Sequence, residues 1–180
     1  MTSILLARIS GARGGARGMT QTQIDATTRL RPETEADVEF LAALYASTRA
    51  EEMQMVDWSD EVKTAFLRSQ FDAQSEHYKQ HYSAAEYWVI EHDGVPAGRL
   101  YLHYQPKDLR IVDIALMPEY RRRGIGRAIL SQLLADAQAS GRNVSLHVER
   151  NNPALALYYD LGFKEISEYG YYYLLEWQPV

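Results

Sequence analysis

A single stretch constrains the chain most. Arg110-Ile-Val-Asp-Ile-Ala-Leu-Met117 is almost continuously apolar and runs straight into Pro118-Glu-Tyr-Arg-Arg-Arg-Gly-Ile-Gly-Arg127. An apolar run of this kind suits a central strand covered on both faces. Beyond the loop, Ile129, Leu130, Leu133 and Leu134 recur at helical spacing, which predicts a helix over 126–139. Between strand and helix, glycines let the main chain curl closely around a ligand, and several amides converge on a helix N-terminus whose dipole favours an anion. The pattern therefore reads as a phosphate cradle, to which Arg121, Arg122, Arg123 and Arg127 add positive charge. The bland alternative is a glycine-rich turn carrying a solvated arginine cluster. Two other cradles are excluded: no Lys followed by Ser or Thr comes after the last glycine, and the third small residue of the dinucleotide fingerprint is not at its offset.

Around this stretch the remaining chain reads as one soluble domain. Its 180 residues match a single-domain length, and no apolar run approaches the roughly 20 residues of a membrane-spanning helix, so no membrane partner is expected. With zero Cys, disulfides, thiolate metal sites and a cysteine nucleophile are excluded, and the cytoplasm is the expected location. The net charge of −5 is unevenly spread. Five of the 19 basic residues and one of the 24 acidic residues precede position 32, leaving 14 against 23 in the remainder. So acidic a body argues against a nucleic-acid partner, which would need a basic face.

Residues 1–26 form an expected extension outside the domain. Gly11-Ala-Arg-Gly-Gly-Ala-Arg-Gly18 has no apolar face to bury, so disorder is expected there. An upstream start with Met19 as the true one is preferred over an arginine-glycine tail for RNA, and the apolar Ile4–Ala7 segment is too short for a secretory signal. The domain proper is expected over 27–180. A strand near 28–31 precedes a helix capped by Thr34, and Ser59 caps a second, polar helix toward Tyr82 whose narrow stripe suits a cover rather than a core. Strand-like runs at 87–90 and 97–103 meet at His92-Asp93-Gly94, a type I′ hairpin signal. After the long helix come a strand at 144–148, a helix opening at Asn152-Pro153, and two strands turning at Gly170. The predicted fold is α/β of the α+β kind: a mixed, mostly antiparallel sheet with helices on both faces.

Two motifs then point the same way. Arg121-x-x-Gly124-x-Gly126 after Ile114-Ala-Leu116 resembles the coenzyme A pyrophosphate loop of the Gcn5-related N-acetyltransferase family. Asn152-Pro-Ala-Leu-Ala-Leu-Tyr158-Tyr-Asp-Leu-Gly162-Phe163 resembles that family's second motif, in which a Leu-Tyr pair precedes Gly-Phe. The resemblance extends from about Thr27 to the C-terminus. It implies that Ile114, Ala115 and Leu116 form the splayed end of the central strand that pairs with the pantetheine arm. It also implies that Arg121, Arg122, Arg123, Gly124, Ile125, Gly126 and Arg127 wrap the pyrophosphate, with Asn152 and Tyr158 also among the cofactor-binding residues. Asn152 is preferred over Asn151, because the Asn-Pro pair caps a helix. Tyr158 matches the family's general acid toward the leaving thiolate; its alternative is a core aromatic, as Tyr159 beside it suggests.

For a general base, His147 and Glu149 lie two apart on one strand and share a face, and a site near His147 carries Glu in the ribosomal-protein branch of the family. Arg110 stands where the histone-acetylating branch has Glu, so that role does not transfer. Asp113 is either a buried base or the partner of an arginine such as Arg99. His77 and His81, one helical turn apart, lack the zinc-protease glutamate, so no metal is expected. Tyr169, Tyr171, Tyr172 and Tyr173 either line an acceptor pocket or pack. The expected function is direct transfer of acetyl from acetyl-CoA, as co-substrate, to an amine of a small molecule or a protein N-terminus; a homodimer is a further expectation. The rival reading is a non-catalytic acyl-CoA binding module.

Overall fold

The computed structural model describes residues 21–180, so the expected N-terminal extension lies, through residue 20, outside the described residues. Eight strands form one sheet: β1 Thr22–Gln23, β2 Thr28–Pro32, β3 Glu86–His92, β4 Val95–Tyr104, β5 Asp108–Leu116, β6 Asn143–Glu149, β7 Lys164–Tyr169 and β8 Tyr172–Trp177. Their spatial order is β1-β2-β3-β4-β5-β6-β8-β7. Every neighbouring pair is antiparallel except β5 and β6, which are parallel. Five helices cover it: α1 Val38–Thr48, α2 Ala50–Gln54, α3 Asp60–His81, α4 Ile125–Ser140 and α5 Leu155–Asp160. No helix among the described residues is long and apolar enough to cross a membrane.

Local chemistry accounts for the connections. Between β3 and β4, Asp93 and Gly94 have φ of 52° and 78°, the positive pair that a type I′ turn requires. Ser59 accepts a hydrogen bond from the Val62 amide at the start of α3. Ahead of α1, Thr34 and Asp37 form a reciprocal capping box around a single 3-10 turn. Two elements go beyond the sequence expectation. The sheet begins at Thr22, inside the stretch assigned to the extension, because β1 pairs with β2 (Thr22 with Leu30, Gln23 with Arg29). A short helix, α2, also follows α1.

The larger core lies between the sheet and α4 with α5. From α4, Ile129, Leu130 and Leu133 are each at most 1% exposed, against Leu30, Ile90, Leu100, Leu102 and Val144 of the sheet. Burying one such side chain contributes about 1.5–3 kcal/mol. On the opposite face α1 and α3 enclose a smaller core of Leu41, Leu44, Tyr45 and Phe71. From α3 Phe71 is buried there, in keeping with a covering helix whose apolar stripe is narrow.

One irregularity decides what the sheet can do. A β-bulge shifts the β4–β5 register between Tyr101 and Leu102, so Leu102 opposes Ile111 and Tyr101 opposes Asp113. Beyond it, β5 stays paired to β4 as far as Leu116, and β6 stays paired to β8 as far as Glu149. The parallel ladder between β5 and β6, however, stops at Ile111 and Leu146. Bulges bend the strand that carries them, and from this point the two central strands diverge.

Candidate active site

The divergence leaves Val112–Leu116 of β5 without a strand on its β6 side, and His147–Glu149 of β6 without one on its β5 side. Ile114, Ala115 and Leu116 thus lie on a free edge of the sheet. Gly98 permits the close approach of β4 from behind. A Cβ there would lie 2.2 Å from the Ala115 carbonyl oxygen.

At the end of β5 the chain passes through a 3-10 turn, Pro118–Tyr120, into the glycine loop. Arg122 and Gly124 both have positive φ, 61° and 83°, which folds the loop back over the start of α4. The first helical bond runs from the Ala128 amide to the Gly124 carbonyl, 2.9 Å, and no side chain caps the helix. The amides of Ile125, Gly126 and Arg127 therefore have no helical acceptor. A Cβ on Gly126 would meet only Leu157 Cδ2 at 3.9 Å, ordinary contact, so the packed protein does not itself require glycine there. A bare, glycine-lined ring of amides at a helix N-terminus fits a pyrophosphate.

The arginines divide their tasks. Arg121 Nε donates to the Leu116 carbonyl at 2.8 Å and so ties the loop to the strand. Arg127 pairs with Asp160 of α5 at 2.6 Å, and Arg123 lies over the Tyr120 ring. Ile125 is 3% exposed, so its side chain belongs to the core and only its amide faces the loop. Asn152 accepts a hydrogen bond from the Ala154 amide at 2.8 Å in the turn before α5, but the helix starts at Leu155 with Ala154 at its N-cap, two residues beyond the expected Asn152 cap.

From α5, Tyr158 enters this region buried, its ring edge-on to Phe163 at 5.7 Å. Its hydroxyl makes no hydrogen bond to a described residue. Burial, reinforced by the Asp113 charge, pushes its pKa up to about 12. The group therefore holds its proton throughout the neutral range while remaining a free donor.

Asp113 is the partner of Arg99, the second of its two expected roles. Arg99 Nη2 donates to its Oδ2 at 2.7 Å, and the Tyr78 hydroxyl of α3 donates to the same oxygen at 2.9 Å. Gln74 holds Arg99 from above at 2.7 Å. Sequence reasoning found Arg99 but not Gln74 or Tyr78, whose only signal was the polar character of α3.

On β6, His147 and Glu149 share a face, as predicted, in different company. Arg110 Nη1 donates to His147 Nδ1 at 3.2 Å. Burial, then the neighbouring Arg110 charge, lowers the His147 pKa from its usual 6.5. Because a guanidinium only donates, the neutral ring must keep its own hydrogen on Nε2 and spend its lone pair on Arg110. Glu149 stands where β6 ends, with Arg49 Nη1 at 3.7 Å from the α1–α2 junction and the Tyr172 hydroxyl at 3.5 Å from β8. Both contacts are long, so the carboxylate keeps acceptor capacity. Arg49 was not singled out in the sequence, where a lone arginine after a helix carries no signal. Among the described residues no group of three His, Cys, Asp or Glu could hold a metal ion.

The parted parallel pair of the mixed sheet thus opens onto the uncapped N-terminus of α4. Residues 48–163 match the acetyltransferase (GNAT) family. The chain belongs to that family, which confirms the resemblance read from its two motifs. It is 35% identical over 113 residues to an N-alpha-acetyltransferase of Sulfurisphaera tokodaii, covering 54% of this chain and 66% of that protein. It is 38% identical over 65 residues to a ribosomal-protein alanine N-acetyltransferase of Escherichia coli strain K12, covering 35% and 44%. The chain thus spans less than two thirds of the length of the curated relatives it matches. Among solved structures, a PaiA N-acetyltransferase of Thermoplasma acidophilum in complex with coenzyme A superposes with a TM-score of 0.64 at 20% identity, over 84% of this chain and 99% of that one. A Salmonella typhimurium acetyltransferase that modifies the N-terminal serine of a 50S ribosomal subunit protein gives 0.60 at 20% identity, over 87% and 96%.

Proposed function

We propose that the chain is an N-acetyltransferase that moves the acetyl group of acetyl-CoA directly to an amine, with both substrates bound together. The observation that carries this reading is the parting of β5 from β6 after Ile111 and Leu146, beside both the bare amides of α4 and the hydroxyl of Tyr158. Acetyl-CoA supplies an activated acetyl thioester. The amides of Ile125, Gly126 and Arg127 hold its pyrophosphate, with Arg122 and Arg123 lending charge, and the free edge of Ile114–Leu116 aligns the extended arm by ladder hydrogen bonds. Glu149 accepts the proton of the attacking amine, because the lone pair of His147 is taken by Arg110. Tyr158 donates its proton to the departing sulfur. A positioned acid or base of this sort contributes about 10²–10⁴-fold. The acceptor is a protein N-terminus, in keeping with the named activities of the relatives, and a composition with zero Cys, which needs no oxidising compartment, supports a cytoplasmic location.

The test is acetyl-dependent thiol release with a panel of small amines and peptide N-termini, the acetylated product weighed by mass spectrometry. Turnover with at least one amine is expected. Tight coenzyme A binding without turnover on any amine would leave a non-catalytic acyl-CoA binding module.

A further inference from the structure

We propose that residues 50–66 form a docking shelf for a cationic polypeptide, so that the acceptor is the N-terminus of a protein bearing Lys or Arg within its first several residues. The inference rests on the transferase reading above and specifies its substrate. Four large apolar side chains stand out of this short segment: Met55 is 81% exposed, Val62 51%, Trp58 45% and Phe66 37%. Trp58 and Phe66 meet edge to face at 5.3 Å, so the patch is structured rather than scattered. Clustered exposed apolar groups mark a surface meant for a partner.

The charge around the patch selects that partner. Glu51, Glu52, Asp57, Asp60 and Glu61 are all exposed, and no basic residue lies between Ala50 and Val62. Only Glu52 is neutralised, by Arg49 at 2.8 Å; among the described residues the other four form no ion pair. Asp60 and Glu61 have a structural reason to be acidic, since they occupy the first turn of α3. Glu51 lies likewise in the first turn of α2, whereas Asp57, in no helix, has no such reason. Aromatic faces beside unpaired carboxylates match side chains with an apolar stem and a cationic head, which is what Lys and Arg are. A polyamine shares the cation but brings little apolar surface for Met55 and Val62.

The shelf also lies where an acceptor's following residues would run. It starts at Arg49, whose guanidinium is 3.7 Å from Glu149. The five residues of α2 rise about 8 Å, a span of two or three residues of extended chain. An amine delivered at Glu149 would therefore bring its own chain across Met55 and Trp58.

Binding measured apart from turnover tests this. Two fluorescent peptides share one N-terminal residue; the first carries three Lys among its next six positions and the second carries Ser in their place. The wild-type chain should bind the cationic peptide about tenfold tighter at low salt, and the advantage should shrink at high salt. Glu51→Gln with Asp57→Asn, which leaves the first turn of α3 untouched, and Trp58→Ser should each remove most of that advantage. Neither should change coenzyme A affinity. Equal affinity for both peptides, or an advantage that survives both variants, overturns the shelf while leaving the transferase intact. Cationic binding without acetylation of any amine supports the shelf and refutes the transferase. Three other occupants would also overturn it: spermidine displacing the peptide as well as unlabelled peptide does, a salt-sensitive dimer that the Glu51→Gln/Asp57→Asn variant abolishes, or tighter peptide binding after Arg13→Ser with Arg17→Ser, which would assign the shelf to the chain's own N-terminus.

Discussion

Removing one oxygen atom from Tyr158 separates chemistry from packing. In Tyr158→Phe the ring keeps its contact with Phe163, and the hydroxyl it loses is bonded to no described residue. Deleting a hydroxyl that makes no hydrogen bond breaks no native interaction, so the melting temperature should stay within about 2 °C, since about 0.5 kcal/mol moves a domain of this size by no more. Turnover should fall by about 10²–10⁴, or roughly 2.7–5.4 kcal/mol of barrier, if the hydroxyl protonates the thiolate. The pH dependence adds a second constraint. With its pKa at about 12, the hydroxyl is protonated across the working range, so the ratio of wild-type to variant rates should be flat from about pH 6 to 10. The assay is thiol release at saturating cofactor and amine, paired with a thermal melt. Near-normal turnover would leave Tyr158 a core aromatic. A rate loss matched by a comparable loss of melting temperature would refute the separation, and so would a deficit that disappears at alkaline pH.

Gly126→Val should abolish coenzyme A binding in calorimetry without unfolding the chain, because an added Cβ there meets only Leu157 at 3.9 Å; undiminished affinity would remove the pyrophosphate from the α4 amides. Glu149→Gln should slow turnover by about 10²–10⁴ and His147→Ala only modestly. His147, with its pKa below 6.5, would otherwise impose an acid limb under that pH, active in its neutral form above it, and erasure of such a limb by His147→Ala would restore it as the base. Asp113→Asn leaves the guanidinium of Arg99, 3% exposed and already without a partner for its Nε, held mainly by Gln74. A cost of about 3 kcal/mol is expected, read as a fall of roughly 6–12 °C in melting temperature. The Arg31 hydrogen bond holds the Asp37 carboxyl down at about 2, against its usual 3.8. Its contribution is thus complete above pH 3.8 and vanishes as pH falls through 2, so the stability gap between wild type and Asp37→Asn should be widest at neutral pH and close in that acid window.

What the sequence disclosed was whatever is decided locally. Asp93-Gly94 fixes a turn by its own backbone, Ser59 caps a helix three residues on, and the glycine loop carries its function in its spacing. Elements without a local cause were missed. Two-residue β1 is too short for any alternation and exists only because β2 offers an edge; α2 is five residues with no periodic stripe. The site shows the same division. Tyr158 and the α4 amides were legible in motifs, whereas the Arg110–His147 contact depends on two strands being adjacent and in parallel register. That adjacency alters the chemistry of the imidazole, and nothing within either strand announces it.

An ordinary sheet has two rims, and this one has four. Its outer rims are guarded: β1 is only two residues long, and β7 carries charged side chains and a register shift between Glu165 and Ser167. The inner rims, Val112–Leu116 on β5 and His147–Glu149 on β6, face each other with main-chain donors and acceptors spaced for a ladder. A molecule that inserts there is read by its amides before any side chain is consulted, each ladder bond contributing about 0.5–1.5 kcal/mol. Amide exchange along both inner rims should therefore slow together when acetyl-CoA binds, more than anywhere else in the sheet. On the proposed reading the co-substrate would serve as an interchangeable ninth strand, and each turnover would include knitting the sheet together and parting it again.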